Sequence, residues 1–323
     1  VTQHVAEKLD TPSPAQAGEG VAVVPRKRGK YGILTRRDKL VLGFMVGVPT
    51  FMVLFFIALP TVLSIVLSFT TWNGIGIERI KWVGTLNYER LVTYDLFWSA
   101  LAHNLIWLVF FMVFATPLGI FFAVLLDKKI RGTRFYQGAL YLPVVLSLAI
   151  VGFIWQLQYS PPQGFINGIL GLNQEGRMID WTGDRSLNLW AILVAASWRQ
   201  AGYVMVLYLA GLKALDPSLR EAAQIDGANE RQTFFRVVFP VLAPINVVVL
   251  VITIIESLRA FDLVYITNRG LNGLELLSVL VTNTILGESA RVGFGSAIAV
   301  VLLLICVVPI LIYLNRAYRV QRA

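Results

Sequence analysis

The chain has 323 residues, 56% hydrophobic and only 15% charged, with a formal net charge of +9 and a mean hydropathy of +0.68. A soluble domain of this length carries about a quarter charged residues, and its apolar positions are broken up by helix or strand period. Here they run in continuous blocks of about twenty or more, long enough to cross a ~30 Å hydrocarbon core at ~1.5 Å per residue, and not in the alternating ten-residue segments of a β-barrel.

The fold class that follows is an all-α polytopic membrane protein. Residues 1–39 are Pro-, Gly- and Ala-rich, then basic (PRKRGKYGILTRRDK). No apolar core follows a short basic start, so a cleaved signal peptide is not expected; the segment reads as a largely disordered basic tail, with 31–39 along the membrane surface. The remainder, 40–323, holds six expected spans: 40–68, 101–126, 137–157, 187–212, 241–264 and 293–314.

Basic residues fix the expected orientation. Of the 28 Lys and Arg, 19 lie in the tail, the second-to-third and fourth-to-fifth connections and the C-terminus; seven lie in the opposite connections. The positive-inside bias places both termini and the 213–240 connection in the cytoplasm. Trp72, Trp82, Trp98, Trp181 and Trp190 sit near the outer ends of the spans, as interfacial anchors do. Because the basic residues gather at span ends and not in one patch, the positive charge argues for a lipid bilayer and against nucleic acid. The single Cys306 lies inside an apolar run and reads as a small buried hydrophobe.

The 213–240 connection, KALDPSLREAAQIDGANERQTFFRVVFP, interrupts this apolar chain with mostly polar residues. Asp216 and Pro217 are helix-start residues, 218–226 make about two and a half turns, and Gly227 supplies a left-handed stop. Asn229 with Gln232 forms a capping-box pattern for a second helix that runs to Pro240. The spacing alone leaves two readings open. One is a rigid connector on the bilayer surface; the other is a docking element in which small residues allow close approach and Glu221 pairs with a partner Arg.

The pattern EAA, three residues, Gly, nine residues, hydrophobic-x-hydrophobic-Pro resembles the EAA loop of permease subunits of ATP-binding-cassette (ABC) importers. It is carried here by Glu221, Ala222, Ala223, Gly227, Val237 and Pro240, with Phe239 where Leu is usual. WVGTLNYERL (82–91), RFYQGALYLPVVLS (134–147), GFINGILGL (164–172), LAGLKALDPSLREAAQIDGAN (209–229) and VGFGSAIAVVLLL (292–304) resemble the carbohydrate-uptake branch of that family, from about residue 40 to the C-terminus. After the fifth span, Thr267, Asn268, Arg269 and Gly270 depart from the family's usual Thr-x-Gly-Gly-Pro. The resemblance implies a type I importer permease in a bacterial-type plasma membrane, taking up a sugar or oligosaccharide by alternating access. Its implied partners are a second homologous permease, a pair of ATPase subunits that bind ATP and Mg, and an extracytoplasmic sugar-binding protein docking on outer loops such as 158–186. Glu221, Ala222, Ala223, Gly227 and Pro240 would then belong to the element that couples to the ATPase.

The residues themselves give no support for catalysis in this chain. Gly29-Lys30 is followed by Tyr31 without a glycine-rich turn, so there is no P-loop, and no HExxH or Cys/His cluster offers a metal site or catalytic centre. No cofactor is expected in this chain. The informative groups are polar residues within spans. Arg199 lies about twelve residues, ~18 Å, into the fourth span. Glu256 and Arg259, three apart, share a helix face that Asp262 continues. A charge at helix centre costs ~3 kcal/mol or more, so these groups either pair (Glu256 with Arg259 or Arg199) or line a polar path for cargo with Gln200 and Tyr203. By resemblance, the segment from Trp198 and the fifth span hold sugar-contacting positions in a related disaccharide permease. Asn104 and Thr116 read as self-satisfied structural groups, and Pro117 and Pro143 as kinks. Two alternatives stand beside sugar import: a permease for a phosphorylated polyol, given Arg199 and Arg259, and an ion-gradient-driven transporter, against which no internal repeat is seen. An intramembrane enzyme lacks a nucleophile and base.

Overall fold

A computed structural model describes residues 35–322 apart from 129, 173, 175, 176 and 289, and only the backbone of 36, 314 and 316–322. The expected tail, 1–34, lies outside the described residues. Two compact units divide between Ile57 and Ala58. In the first, α1 (Arg36–Val53) opens on a capping box. The Thr35 hydroxyl accepts from the Asp38 N–H at 3.2 Å, and the Asp38 carboxylate accepts from the Thr35 N–H at 2.9 Å. Residues expected on the membrane surface, 36–39, are thus the first turn of α1.

The second unit begins with α2 (Leu59–Leu67), α3 (Leu86–Val92), α4 (Asp95–Phe110) and α5 (Thr116–Asp127). Then come α6 (Thr133–Val145), α7 (Leu148–Gln158), the short α8 (Phe165–Ile169) and the long α9 (Asn188–Ala214). The connecting loop holds α10 (Ser218–Ile225) and α11 (Glu230–Thr233), leading into α12 (Phe239–Val241), α13 (Ala243–Leu258) and α14 (Asp262–Asn268). α15 (Leu277–Leu286) and α16 (Val292–Arg322) end the chain. Among the described residues there is no β-strand, only an isolated bridge between Thr70 and Trp82.

Four stretches are long and apolar enough to cross a bilayer: Arg37–Leu67, Asp95–Asp127, Asn188–Ala214 and Val292–Tyr313. They match the first, second, fourth and sixth expected spans, the second starting six residues earlier. The third and fifth are not straight rods. α6 and α7 meet at 103°, and Glu230–Val241 meets Ala243–Asn268 at 79°. Ser147 explains the first bend: its hydroxyl accepts from the Ile150 N–H and restarts the helix after Leu146 turns extended. Pro244 at the start of α13 explains the second, since a proline is compatible with a first helical turn and not with the middle of one. Six crossings are obtained when each bent pair is one span.

Prolines also shape the straight stretches. Three π-helical turns, Leu54–Ala58, Phe111–Ala115 and Phe234–Val238, each precede a proline by two residues: Pro60, Pro117 and Pro240. In an α-helix each proline ring would strike the carbonyl four residues back, on Phe56, Val113 or Arg236, the middle residue of each π turn. Widening the turn relieves that clash without breaking the rod.

The core is centred on α9, whose buried residues run from Asn188 to Leu212. One side packs with Trp107, Phe111, Val151 and Val264, and the other end with Ala123, Val238, Leu242 and Val249. Backbones come close where side chains vanish: a Cβ on Gly119 of α5 would lie 2.6 Å from the Ala201 carbonyl, and one on Gly202 would lie 2.3 Å from the Leu140 carbonyl of α6. Between apolar helices in lipid, such small-residue contacts supply the packing that a hydrophobic drive does not. Asn104, fully buried on α4, donates to the Ser257 carbonyl and accepts from the Leu277 N–H, both at 2.9 Å, tying α4 to the end of α13 and the start of α15. Gly202→Leu is expected to destabilise the protein by roughly 1–3 kcal/mol through overpacking. A lowered thermal midpoint of the detergent-purified chain, with Gly138→Leu (no neighbour within 4 Å of its Cβ) near wild type, checks this.

Candidate functional site

Two places gather the residues singled out in the sequence. The first lies midway along the bundle, where α9 faces the end of α13 and the start of α14. Arg199, Gln200, Glu256, Arg259 and Asp262 line a cavity of about 40 Å³ there, walled by Trp107 and other apolar groups. Arg199 Nη1 stands 3.6 Å from a Glu256 oxygen. Of the two pairings open to Glu256, the one across helices forms; no ion pair to Arg259 exists among the described residues. The shared face expected for Glu256, Arg259 and Asp262 is broken, because α13 ends at Leu258 and α14 starts at Asp262. The break itself turns Arg259 and Asp262 toward the same cavity.

Gln200 is 3% exposed and donates to Thr253 Oγ1 at 3.3 Å, which in turn is 3.4 Å from the Thr116 hydroxyl. Thr116 is therefore satisfied by a neighbouring helix. Tyr203 is half-buried and does not line this cavity. Two buried donors at the cavity, Arg199 Nε and Trp107 Nε1, have no hydrogen-bond partner within the described chain. Trp107 was not anticipated; a tryptophan in an apolar run carries no sign of polar duty until its N–H is found buried. The volume admits a few waters and falls far below the ~300–1,000 Å³ of ligand pockets. The conformation is closed around its charges.

The second place is the 213–240 loop. The Asp216 carboxylate accepts from the Ser218 N–H at 2.9 Å, and the hydrogen bonds it receives from Ser218, backbone first, hold its pKa below the usual carboxylate range. α10 runs to Ile225 and stops at Gly227, whose φ of 82° lies in the left-handed region. The box at Asn229 is complete: its side chain accepts from the Gln232 N–H at 2.9 Å while the Gln232 side chain accepts from the Asn229 N–H at 3.0 Å. α10 packs on the Phe234–Val238 turn, and Ala223, 7% exposed, is turned into the protein. Ala223 thus helps seat the helix on its own chain. Glu221, Ala222 and Gly227 stand outside, with Ile225 85% exposed beside them. Pro240 is exposed and follows the π turn.

Two ion pairs that spacing could not reveal brace this loop against the end of α5. Arg220 donates to Asp127, and Lys128 to Glu230, both at 2.6 Å. The first is partly sheltered; the second is exposed and contributes little by itself.

Comparison with known proteins follows the same lines. Residues 115–321 match the family model described as binding-protein-dependent transport system inner membrane component. A probable ABC transporter permease of Pyrococcus horikoshii is 32% identical over 267 residues, covering 82% of this chain and 91% of the relative. A xylose/arabinose import permease of Haloferax volcanii is 32% identical over 261 residues, covering 78% and 80%. Among solved structures, a chain of a bacterial ABC transporter that imports the acidic polysaccharide alginate superposes with a TM-score of 0.71 at 21% identity, covering 88% of this chain and 96% of the other.

A double-mutant cycle of Arg199→Gln and Glu256→Gln is expected to show a coupling energy on the order of 1 kcal/mol. Thermal unfolding of the four proteins measures it; additive losses would mean the 3.6 Å pair does not hold α9 to α13.

Proposed function

The chain belongs to the binding-protein-dependent transport system inner membrane components, the permeases of ABC importers, and from that premise we propose that it carries a sugar or oligosaccharide across the plasma membrane by alternating access. The observation that carries the reading is a polar, charge-balanced cavity at mid-bundle connected by one helix to an exposed loop helix. α9 holds Arg199 at the cavity and, some fifteen residues or ~22 Å further on, ends where the loop begins.

In this reading α10 is the coupling helix. Glu221 and Ala222 form its partner face, and Ile225 is the apolar anchor that enters a cleft on an ATPase subunit. Gly227 permits the sharp turn, and the capping box and the Arg220–Asp127 pair restrain it, so that displacement of α10 is passed on. ATP and Mg act on the ATPase pair; this chain contributes no catalytic group to that step. Both termini and the loop lie on the cytoplasmic side, a second homologous permease completes the passage, and an extracytoplasmic binding protein delivers cargo to the opposite face. Opening parts Arg199 from Glu256, enlarges the cavity, and offers the unpaired Arg199 Nε–H and Trp107 Nε1–H to hydroxyl oxygens. Arg199 and Arg259 are matched by Glu256 and Asp262, which favours a neutral sugar over a phosphorylated polyol, since an anion would meet two carboxylates as well. Import by the pentose permease relative points the same way.

Glu221→Lys and Ile225→Asp are each expected to abolish copurification with the ATPase and to reduce ATP-dependent uptake of radiolabelled sugar in proteoliposomes at least about tenfold, a loss near 1.4 kcal/mol. Membrane insertion should be unchanged. Undiminished uptake by both variants, or uptake without ATP, overturns the coupling role and favours a gradient-driven carrier.

A further inference from the structure

Beneath the loop, between α5 and the α11–α12 segment, lies a cleft of about 670 Å³, far larger than the mid-bundle cavity. Its wall is apolar, with Phe121 and Val124 from α5, Leu212 from α9, and Phe235, Val238 and Phe239 opposite. Its rim is charged and sits where α5 ends: Asp127, Lys128, Arg220, Glu230 and Arg231. Four of these five charges cancel in the Arg220–Asp127 and Lys128–Glu230 pairs. Arg231 has no ion pair among the described residues, so the rim presents one uncompensated positive charge. Thr233, 6% exposed, adds its small side chain to the wall.

We propose that this cleft is a binding site for one anionic phospholipid of the surrounding bilayer, with an acyl chain along the phenylalanine wall and the phosphate at Arg231. The volume lies in the range of sites that enclose a ligand. Phe121 and Phe235 are both more than half exposed at its mouth, as side chains facing hydrocarbon are. The change from aromatic wall to charged rim reproduces the boundary between acyl chains and headgroups, where basic pockets between helices take anionic lipid. A soluble metabolite would leave the aromatic wall uncovered; a protein segment would have to bring both an apolar edge and an anion to the end of a span. An acyl chain in place props α5 from α12 directly under α10, so occupancy stiffens the loop.

The assembled transporter, purified in detergent and equilibrated with vesicles of phosphatidylethanolamine containing phosphatidylglycerol, tests this by native mass spectrometry of the released chain. Wild type is expected to retain one phosphatidylglycerol per chain in preference to phosphatidylethanolamine. Arg231→Glu, which removes the headgroup charge, and Val124→Trp, which fills the cleft, should each lower that retention at least about fivefold. Arg231 is exposed, so its variant keeps the test valid should the tryptophan disturb folding. Equal retention of both lipids by wild type, or unchanged retention in Arg231→Glu, overturns the proposal. The readout contains no sugar and no nucleotide, so it stands or falls apart from the transport reading.

Discussion

The packing around α9 rests on the close approach of three helix backbones at Ala201–Gly202. The missing side chains of Gly119 and Gly202 let α5 and α6 press on α9 from two sides at one level. In a bilayer, where apolar side chains gain nothing by leaving lipid for one another, such contact is what fixes a helix in position and rotation. Arg199 and Gln200 directly precede that clamp. Their reach toward Glu256 and Thr253 is therefore set by backbone packing and not by the flexibility of two long side chains. Two glycines thus fix the α9 side of the cavity.

The same clamp bears on the loop. α9 runs unbroken from the clamp to Ala214, and α5, the helix pressed against it, ends at Asp127, which holds Arg220 of α10. The loop helix is thus fastened to both members of one tightly packed pair. Its other end stops at Gly227 and is held locally by the Asn229–Gln232 box. α10 is thereby linked to α5 by an ion pair and to α9 by the three residues 215–217. The π turns do not contradict this, because each keeps its helix continuous while absorbing a proline ring.

What was legible in the sequence divides along the range of the interactions. Local chemistry was readable: α10, its stop at Gly227 and the capping box all follow from residues within four of one another. The four straight spans were readable too, since length and apolarity are summed along the chain. The bends were not read from hydropathy, because a run stays apolar through a 103° turn. Ser147, a helix-start residue inside an apolar block, was the available sign. α15, at ten residues, was too short to count as a span, yet it is packed into the bundle and receives Asn104. Tertiary pairs such as Arg220–Asp127, 93 positions apart, have no local trace. Nor does the inward turn of Ala223, which the EAA pattern had grouped with its exposed neighbours.

The break between α13 and α14 shows why the mid-bundle charges are tolerated at all. An unbroken helix would have left Arg259 and Asp262 on a face spaced for lipid or for one another. By ending α13 at Leu258 and restarting at Asp262, the chain frees backbone groups that must then be satisfied inside the protein. Asn104 does so for the Ser257 carbonyl, and Ser278 donates to the Ala260 carbonyl. Irregular backbone at membrane depth survives only where protein or a water-filled path surrounds it. The break, the buried Asn104 that serves it, and the cluster of four charges around it are one device: each would be costly alone, and together they hold the charges in a polar pocket walled by protein and not by lipid.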